Sequence, residues 1–234
     1  MNTLQKPSIF IVLVIGLLTF GTAPATAEEP LEQQLMVDHA RLIVDSFAVD
    51  PNMESYRGYL RRAKAILIIP GLYKGAFFLG GAGGRGVLVA RAEGTDEWFG
   101  PAFYTTGSVS FGLQFGGEKS EVILLVMTQK GLQSLYSTSF KLGADVSVAV
   151  GPIGAGAQGA TAPSLKVDFI SYSRAKGVFL GLSLDGAVIK ENYDWNKTYY
   201  GKPVRPRNII VAHDAINPNS ELLRAAVAKT SIAE

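Results

Sequence analysis

The amino-acid sequence predicts an α+β fold: a strongly bent, antiparallel, barrel-like β-sheet with N-terminal helices and a C-terminal helix. Short apolar runs separated by turn residues fill the middle of the chain without a repeating alternation of strand and helix, which favours an antiparallel sheet. Many glycines lie within these runs, and this indicates bending or closure of the sheet. Apolar residues recur at helical spacing near both ends of the chain.

The first 27 residues have the pattern of a secretory signal peptide. Lys6 supplies the charged region, Ile9 to Phe20 the apolar region, and Ala25-Thr26-Ala27 an A-x-A cleavage site. The apolar run is shorter than the roughly 20 residues that a transmembrane helix needs. We therefore expect an exported protein, periplasmic or extracellular, in which residues 28–234 form one domain that is soluble or peripherally attached to a membrane.

Composition excludes several classes of function. The chain has no cysteine, so it has no disulfide, thiolate metal site or cysteine nucleophile. The formal net charge is +2, and Lys6 accounts for one of these charges, so the bulk charge does not indicate nucleic-acid binding. An anionic partner would have to meet a local basic patch.

Two helices are predicted before the sheet. The first covers Glu28 to Asp50, with an apolar face of Leu31, Leu35, Ala40, Ile43 and Phe47. The second covers Met53 to Arg62, with Tyr56, Tyr59 and Leu60 inward and Arg57, Arg61 and Arg62 outward. Either both helices cover the sheet, or the second lies on a membrane, because a basic face beside aromatic residues is typical of interfacial helices.

The predicted strands begin with three short apolar runs, Ile66–Ile69, Ala76–Leu79 and Gly86–Arg91, and the first run turns at Pro70-Gly71. Five further strands are expected at Gly107–Phe115, Val122–Met127, Val146–Val150, Val167–Tyr172 and Val178–Ile189. A short helix is predicted at Lys130–Tyr136 and a loop at Gly151–Ser164. Asn217 and Pro218 are good starting residues for a last helix, with apolar positions Leu222, Leu223, Ala226 and Val227.

Two glycine-rich segments, residues 81–86 and 154–159, match the dinucleotide-binding pattern G-x-G-x-x-G. That pattern needs a helix after the glycines, whereas both segments lead into runs without helical periodicity. Neither is followed by the Lys-Ser or Lys-Thr pair of a nucleoside-triphosphate loop. We therefore predict no nucleotide cofactor and interpret the glycines as hairpin or bulge residues. Arg85 stays a candidate contact for a phosphate or carboxylate.

Catalytic and metal sites are not predicted. His39 falls on the Leu35–Ile43 stripe, where we expect a partly buried, hydrogen-bonded side chain, and His213 lies near the start of the last helix. Two isolated histidines do not make a zinc site without carboxylates that the sequence cannot place. The hydrolase patterns G-x-S-x-G and H-E-x-x-H are missing from the sequence. We expect no enzyme activity and no cofactor.

A basic series begins in the second helix and comprises Arg57, Arg61, Arg62, Lys64 and Lys74. Arg57 and Arg61 are one helical turn apart, so part of the series forms a patch. Each cation near an anionic lipid surface contributes about 1 kcal/mol of attraction. The series predicts either a headgroup-binding patch or a solvated helix face.

Six segments carry a resemblance to a known family. They are Ala63-Lys64-Ala65-Ile66 with Pro70-Gly71, Gly84–Arg91, Trp98–Pro101, Gly112–Glu118, Tyr172–Gly181 and Tyr199–Gly201. In this order, from about Met53 to Val211, they resemble the SYLF domain, the lipid-binding module also called the actin-binding domain of the yeast actin-patch proteins.

The resemblance implies a non-enzymatic domain that binds membrane lipids through an amphipathic helix and basic residues; some members bind actin. An export signal suits an envelope protein, so lipid binding transfers better than actin binding. The implied partner is an anionic phospholipid or another envelope lipid, with Arg57, Arg61, Arg62, Lys64, Lys74 and Arg85 as contacts. The alternative is a structural or assembly protein of the envelope that binds other proteins.

Overall fold

The computed structural model describes residues 31–77, 79–110, 118–154 and 167–232. Its helices, apart from 3-10 turns at Pro51–Met53 and Pro218–Ser220, are α1 (Leu31–Val49), α2 (Glu54–Leu60), α3 (Gln129–Ser134), α4 (Tyr193–Tyr200), α5 (Pro206–Ile210) and α6 (Glu221–Ile232). Its strands are β1 (Ala65–Phe77), β2 (Leu79–Arg91), β3 (Trp98–Ser110), β4 (Glu118–Val126), β5 (Ser139–Lys141), β6 (Val148–Val150), β7 (Phe169–Ala175), β8 (Val178–Leu180) and β9 (Val188–Glu191).

The strands form one sheet in the order β5-β9-β3-β2-β1-β4-β7-β6, and β8 pairs with β7. Neighbouring strands are antiparallel except for β6 and β7, which are parallel. The sheet curls strongly into a half-barrel, and helices lie at both ends of the chain. The predicted fold class is therefore confirmed.

Each face of the sheet carries its own hydrophobic core. One core lies under α1, α2 and α6 and includes Ile66, Val87, Ile123 and Tyr172. The other includes Leu67, Leu88 and Leu124, together with buried residues of α3 and α5. Neighbouring strand residues point to opposite faces, so the continuous apolar runs of β1 and β4 supply both cores.

The prediction of three short runs before residue 92 is wrong, because β1 and β2 are two 13-residue strands. Pro70-Gly71 does not turn the chain. The pairing of β1 with β2 shifts register between Ile68 and Gly71, so that Ile69 and Pro70 of β1 together lie opposite the single residue Gly86 of β2. A Cβ at Gly86 would lie 2.6 Å from the Ile68 carbonyl oxygen. The glycine-rich segment 81–86 is therefore part of a strand, and its glycines permit close backbone approach at a bulge.

The predicted apolar face of α1 is partly wrong. Ala40, Ile43 and Phe47 are buried as predicted, but Leu31 and Leu35 are 67% and 48% exposed. The helix packs against the sheet and α6 through the buried residues, which also include Val37 and Val44, so its N-terminal leucines face outward. His39 is exposed too, contrary to the prediction of a partly buried side chain.

Two predictions near the C-terminus are corrected. Val178–Ile189 is not one strand: β8 and β9 are separated by a loop in which Gly186 takes a positive φ of 84°. In α6, Leu223, Ala226 and Val227 are buried as expected, but Leu222 is 67% exposed.

The sequence patterns did not predict α4 and α5. In α4, the amide oxygen of Asn196 accepts a hydrogen bond from the backbone N–H of Phe103 at 2.8 Å, so the helix lies along the edge of β3. The second glycine match, 154–159, the alternating residues Phe111 to Phe115 and the predicted signal peptide lie largely or wholly outside the described residues.

Candidate functional site

A cleft of about 1220 Å³ opens where α2 leads into β1. Its other walls are the turn between β2 and β3, α3, and the segment from α5 to His213. Five basic side chains line it: Arg61, Arg62, Lys64, Arg91 and Arg207. We call it the basic cleft.

The end of α2 positions the first three of these cations. Tyr56, Tyr59 and Leu60 are buried under the helix, as predicted, so the chain that follows emerges at the surface with Arg61 and Arg62 exposed. The Arg62 guanidinium lies 5.0 Å from the centroid of the Tyr59 ring. The Lys64 backbone N–H donates to the Val126 carbonyl at 2.8 Å, which joins this segment to the sheet.

Arg91, at the end of β2, connects the helix to the opposite wall. It donates to the carbonyls of Leu60 and Arg61, forms a salt bridge with Asp96 at 2.8 Å, and lies 4.9 Å above the Trp98 ring. Sequence reasoning missed Arg91 as a site residue. Its signals were its position at the end of an apolar run, a few residues before a tryptophan, and its place in the segment Gly84–Arg91.

One rim of the cleft is acidic. Glu93, Asp96 and Glu97 belong to the turn between β2 and β3, which the Ala92 N–H closes by donating to the Glu97 carbonyl at 2.8 Å. With five basic and three acidic side chains, the cleft has a formal charge of +2, taking histidine as neutral. Arg91 and Asp96 pair with each other, and the charge that remains is positive.

The floor of the cleft has an apolar part. Phe99 and His213 stack with ring centroids 3.6 Å apart, and Leu132, Tyr136 and Ile210 lie beside them. Burial raises the pKa of the Tyr136 hydroxyl, and the neighbouring Arg207 opposes this shift without cancelling it. Tyr136 is therefore a neutral hydrogen-bonding group at physiological pH. The cleft combines cations, a hydroxyl and apolar surface, which suits an amphipathic anion.

The other predicted contacts lie elsewhere. Arg57 is half-buried and donates to the carbonyls of Ala48 and Asp50 at 3.0 Å. Its cation therefore stabilises the carbonyl groups at the C-terminal end of α1. Lys74 lies within β1, opposite Ala82 and Glu118. Arg85 lies in a second cleft of about 490 Å³ between α1 and the sheet. Thus three of the six predicted residues are brought together.

Within residues 31–232, apart from the three segments that are not described, no group of three or more histidines and carboxylates is placed to hold a metal ion. In the same part of the chain, every helix is too short or too polar to span a bilayer.

Residues 107–230 match the protein-family model Ysc84, described as Las17-binding protein actin regulator. This match covers more than half of the sequence, and the chain belongs to this family. The predicted SYLF resemblance is thereby confirmed.

Three relatives show the extent of the similarity. An SH3 domain-containing protein of Schizosaccharomyces pombe is 32% identical over 154 residues, which are 64% of this chain and 35% of the relative. LAS seventeen-binding protein 3 of Saccharomyces cerevisiae is 34% identical over 146 residues, or 61% of this chain and 31% of the relative. Human SH3 domain-containing YSC84-like protein 1 is 26% identical over 152 residues, which are 64% of this chain and 44% of the relative. The chain spans about a third of the length of the yeast relatives that it matches.

Proposed function

We propose that this chain is a non-enzymatic protein that binds anionic membrane lipids, with a headgroup held in the basic cleft. The observation that carries the proposal is the convergence of Arg61, Arg62 and Lys64 with Arg91 and Arg207 around an apolar floor. Arginine suits this role because its planar fork of N–H donors matches phosphate oxygens. Arg61 and Arg62 are exposed residues at the end of α2.

The test is co-sedimentation of the purified protein with vesicles. Reversing two charges with Arg61→Glu and Arg62→Glu is expected to weaken binding to phosphatidylglycerol-containing vesicles by about tenfold or more, since each near-surface cation contributes about 1 kcal/mol. The matched control is Lys197→Glu with Lys229→Glu, two exposed lysines of α4 and α6 that do not line the cleft. Equal pelleting with neutral and anionic vesicles, or equal losses in the two variants, would refute an electrostatic role for the cleft.

A protein-binding, assembly role is the second candidate. It is favoured by the relatives that are named for binding Las17, and by the exposed apolar side chains Leu31, Leu35, Leu42 and Val49 along one side of α1. This role would be favoured over the first by two results together. The protein would capture a specific protein partner without binding vesicles, and Leu35→Ser with Leu42→Ser would abolish that capture.

We also propose that the protein is exported to the cell envelope. The proposal rests on Lys6, the apolar run Ile9 to Phe20 and the Ala25-Thr26-Ala27 pattern. N-terminal sequencing of the protein from its native cells tests it: a start at Glu28 supports export with cleavage, and an intact N-terminus in the cytosol contradicts it.

A further inference from the structure

The second cleft, which we call the glycine cleft, lies between α1 and the central strands of the sheet. Met36 and His39 come from α1, and the remaining residues are Pro70, Gly71, Tyr73, Gly83, Gly84, Arg85, Thr105, Thr106 and Lys119. Its volume of about 490 Å³ is within the range of small-molecule sites. We infer that it binds a small amphipathic oxyanion, a carboxylate or phosphate monoester with a short apolar chain.

Two cations flank the middle of this cleft. Arg85 is the partner of Gly71 across β1 and β2, and the Lys119 side chain passes so close that a Cβ at Gly71 would lie 3.2 Å from its Cε. Gly71 therefore lies between the two positive side chains. A Cβ at Gly71 would also lie 2.9 Å from the Tyr73 ring, so only a glycine lets the ring and the Lys119 side chain pass this close to the strand.

The charge of this pair is not balanced by carboxylates. No acidic residue is among those that line the glycine cleft, and in the described part of the chain neither Arg85 nor Lys119 forms a salt bridge. Each contacts an aromatic ring instead: Arg85 lies 4.7 Å from the Trp195 ring centroid, and Lys119 lies 5.8 Å from that of Tyr73. The rings hold the two side chains in place and leave their charges available for an anion.

Thr105 supplies a hydroxyl beside the two cations. It is the partner of Arg85 across β2 and β3, so its side chain lies on the same face of the sheet, and it is exposed. Its hydroxyl oxygen accepts from the Asn192 side chain at 3.3 Å, which leaves its proton to donate to an oxygen of a bound carboxylate or phosphate.

The apolar part of the ligand follows from the remaining walls. Met36, Pro70 and Tyr73 contribute apolar surface, and Tyr73 is 59% exposed. A short alkyl chain attached to the oxyanion would cover this surface. A free metabolite and a lipid headgroup could both present such an oxyanion beside an apolar chain.

The experiment measures binding of octanoate, octyl phosphate and inorganic phosphate by calorimetry and by amide chemical shifts. We expect octyl phosphate to bind more tightly than inorganic phosphate and to shift the amides of Gly71, Gly83 and Thr106. Arg85→Gln with Lys119→Gln should weaken binding by about tenfold or more, because charge-assisted hydrogen bonds are lost. The matched control Lys229→Gln should leave binding unchanged.

Thr105→Val separates binding from folding. Because Thr105 is exposed, its replacement by a side chain of similar shape should leave the midpoint of urea unfolding nearly unchanged, while octyl phosphate binding weakens. Unaltered binding in both Thr105→Val and the double variant overturns the assignment, as does equal affinity for inorganic phosphate and octyl phosphate.

Vesicles containing phosphatidic acid identify the source of the oxyanion. If Arg85→Gln with Lys119→Gln also weakens vesicle binding, the ligand is a lipid headgroup; if only octyl phosphate binding weakens, it is a free small molecule. The inference is independent of the basic cleft, since Arg61→Glu with Arg62→Glu should leave octyl phosphate binding unchanged. The two proposals can therefore fail separately.

Discussion

At the scale of single residues, Asp168 joins three segments through one carboxylate. It accepts hydrogen bonds from the Thr128 hydroxyl and from the backbone N–H and hydroxyl of Ser147, at 2.9 and 3.0 Å, and Lys130 lies 3.8 Å away. Thr128 in turn caps the first turn of α3 by accepting from the Gly131 N–H. Burial alone would raise the pKa of Asp168, but these hydrogen bonds outweigh it and hold the pKa below its usual value.

Asp168→Asn should therefore lower the free energy of unfolding at neutral pH by about 2 kcal/mol, the usual contribution of hydrogen bonds to a charged group. A depressed folded-state pKa gives stability that is present above the ordinary pKa and is lost as the pH falls through the folded-state value. The difference between wild type and variant should shrink below about pH 4, as measured by urea unfolding across a pH series.

Asp185→Asn is the control, since this exposed loop carboxylate should contribute less than about 0.5 kcal/mol. Stability curves of wild type and Asp168→Asn that stay parallel down to acid pH would contradict the role given to Asp168.

The site residues show what local sequence can and cannot reveal. Arg61, Arg62 and Lys64 are near one another in the chain, so their grouping was predictable from helical spacing. Arg91 and Arg207 join them only because β2 pairs with β1 and α5 packs nearby, and no local pattern contains that pairing. The position of Arg57 was unpredictable for the same reason, because its carbonyl partners at the end of α1 depend on the angle between two helices.

At the scale of elements, the bulge between β1 and β2 decides how the two long strands curve. Pro70 and Gly71 appeared from the sequence to end a strand, because proline and glycine usually do. The strand continues instead, since the register shift at Gly71 takes up the irregularity. The turn propensity of Pro70 and Gly71 is a property of these residues alone. Strand β1 can continue through them because its partner strand places Gly84 and Gly86 opposite the bulge.

Gly86→Ala tests this account. The new methyl group would meet the Ile68 carbonyl oxygen at 2.6 Å and the Ile69 side chain at 2.9 Å, so we expect a loss of about 2 kcal/mol in the free energy of unfolding. Gly107→Ala in β3 is the matched control, because no atom lies within 4 Å of its added Cβ. Similar denaturation midpoints for the two variants would show that the close approach at Gly86 is not needed.

At the scale of the whole molecule, the two clefts differ in charge pattern. The basic cleft has an acidic rim formed by Glu93, Asp96 and Glu97, whereas the lining of the glycine cleft contains no acid. The mixed α+β class was predictable from periodicity, but the order of strands that produces these clefts was not, because pairing between distant segments leaves no periodic signal.

Neutralising the rim should strengthen membrane binding if the basic cleft meets anionic lipid. Glu93→Gln with Glu97→Gln removes two negative charges, and we expect binding to anionic vesicles to tighten by several-fold, up to about tenfold, at low ionic strength. The gain should decline as salt is added. Co-sedimentation measures both effects.

Glu32→Gln with Glu221→Gln is the control for that experiment, because these exposed acids of α1 and α6 change the net charge equally without lining the cleft. If both double variants gain equally, net charge rather than the rim controls attachment.

The short outer strands have a consequence for behaviour at high concentration. β5, β6 and β8 have three residues each, and α4 occupies part of the margin of β3 through Asn196 and through the Asn192 N–H, which donates to the Phe103 carbonyl. Unpaired strand margins are the usual templates on which foreign chains add and fibrils grow. The outermost strands of the described sheet are therefore short templates for such an addition.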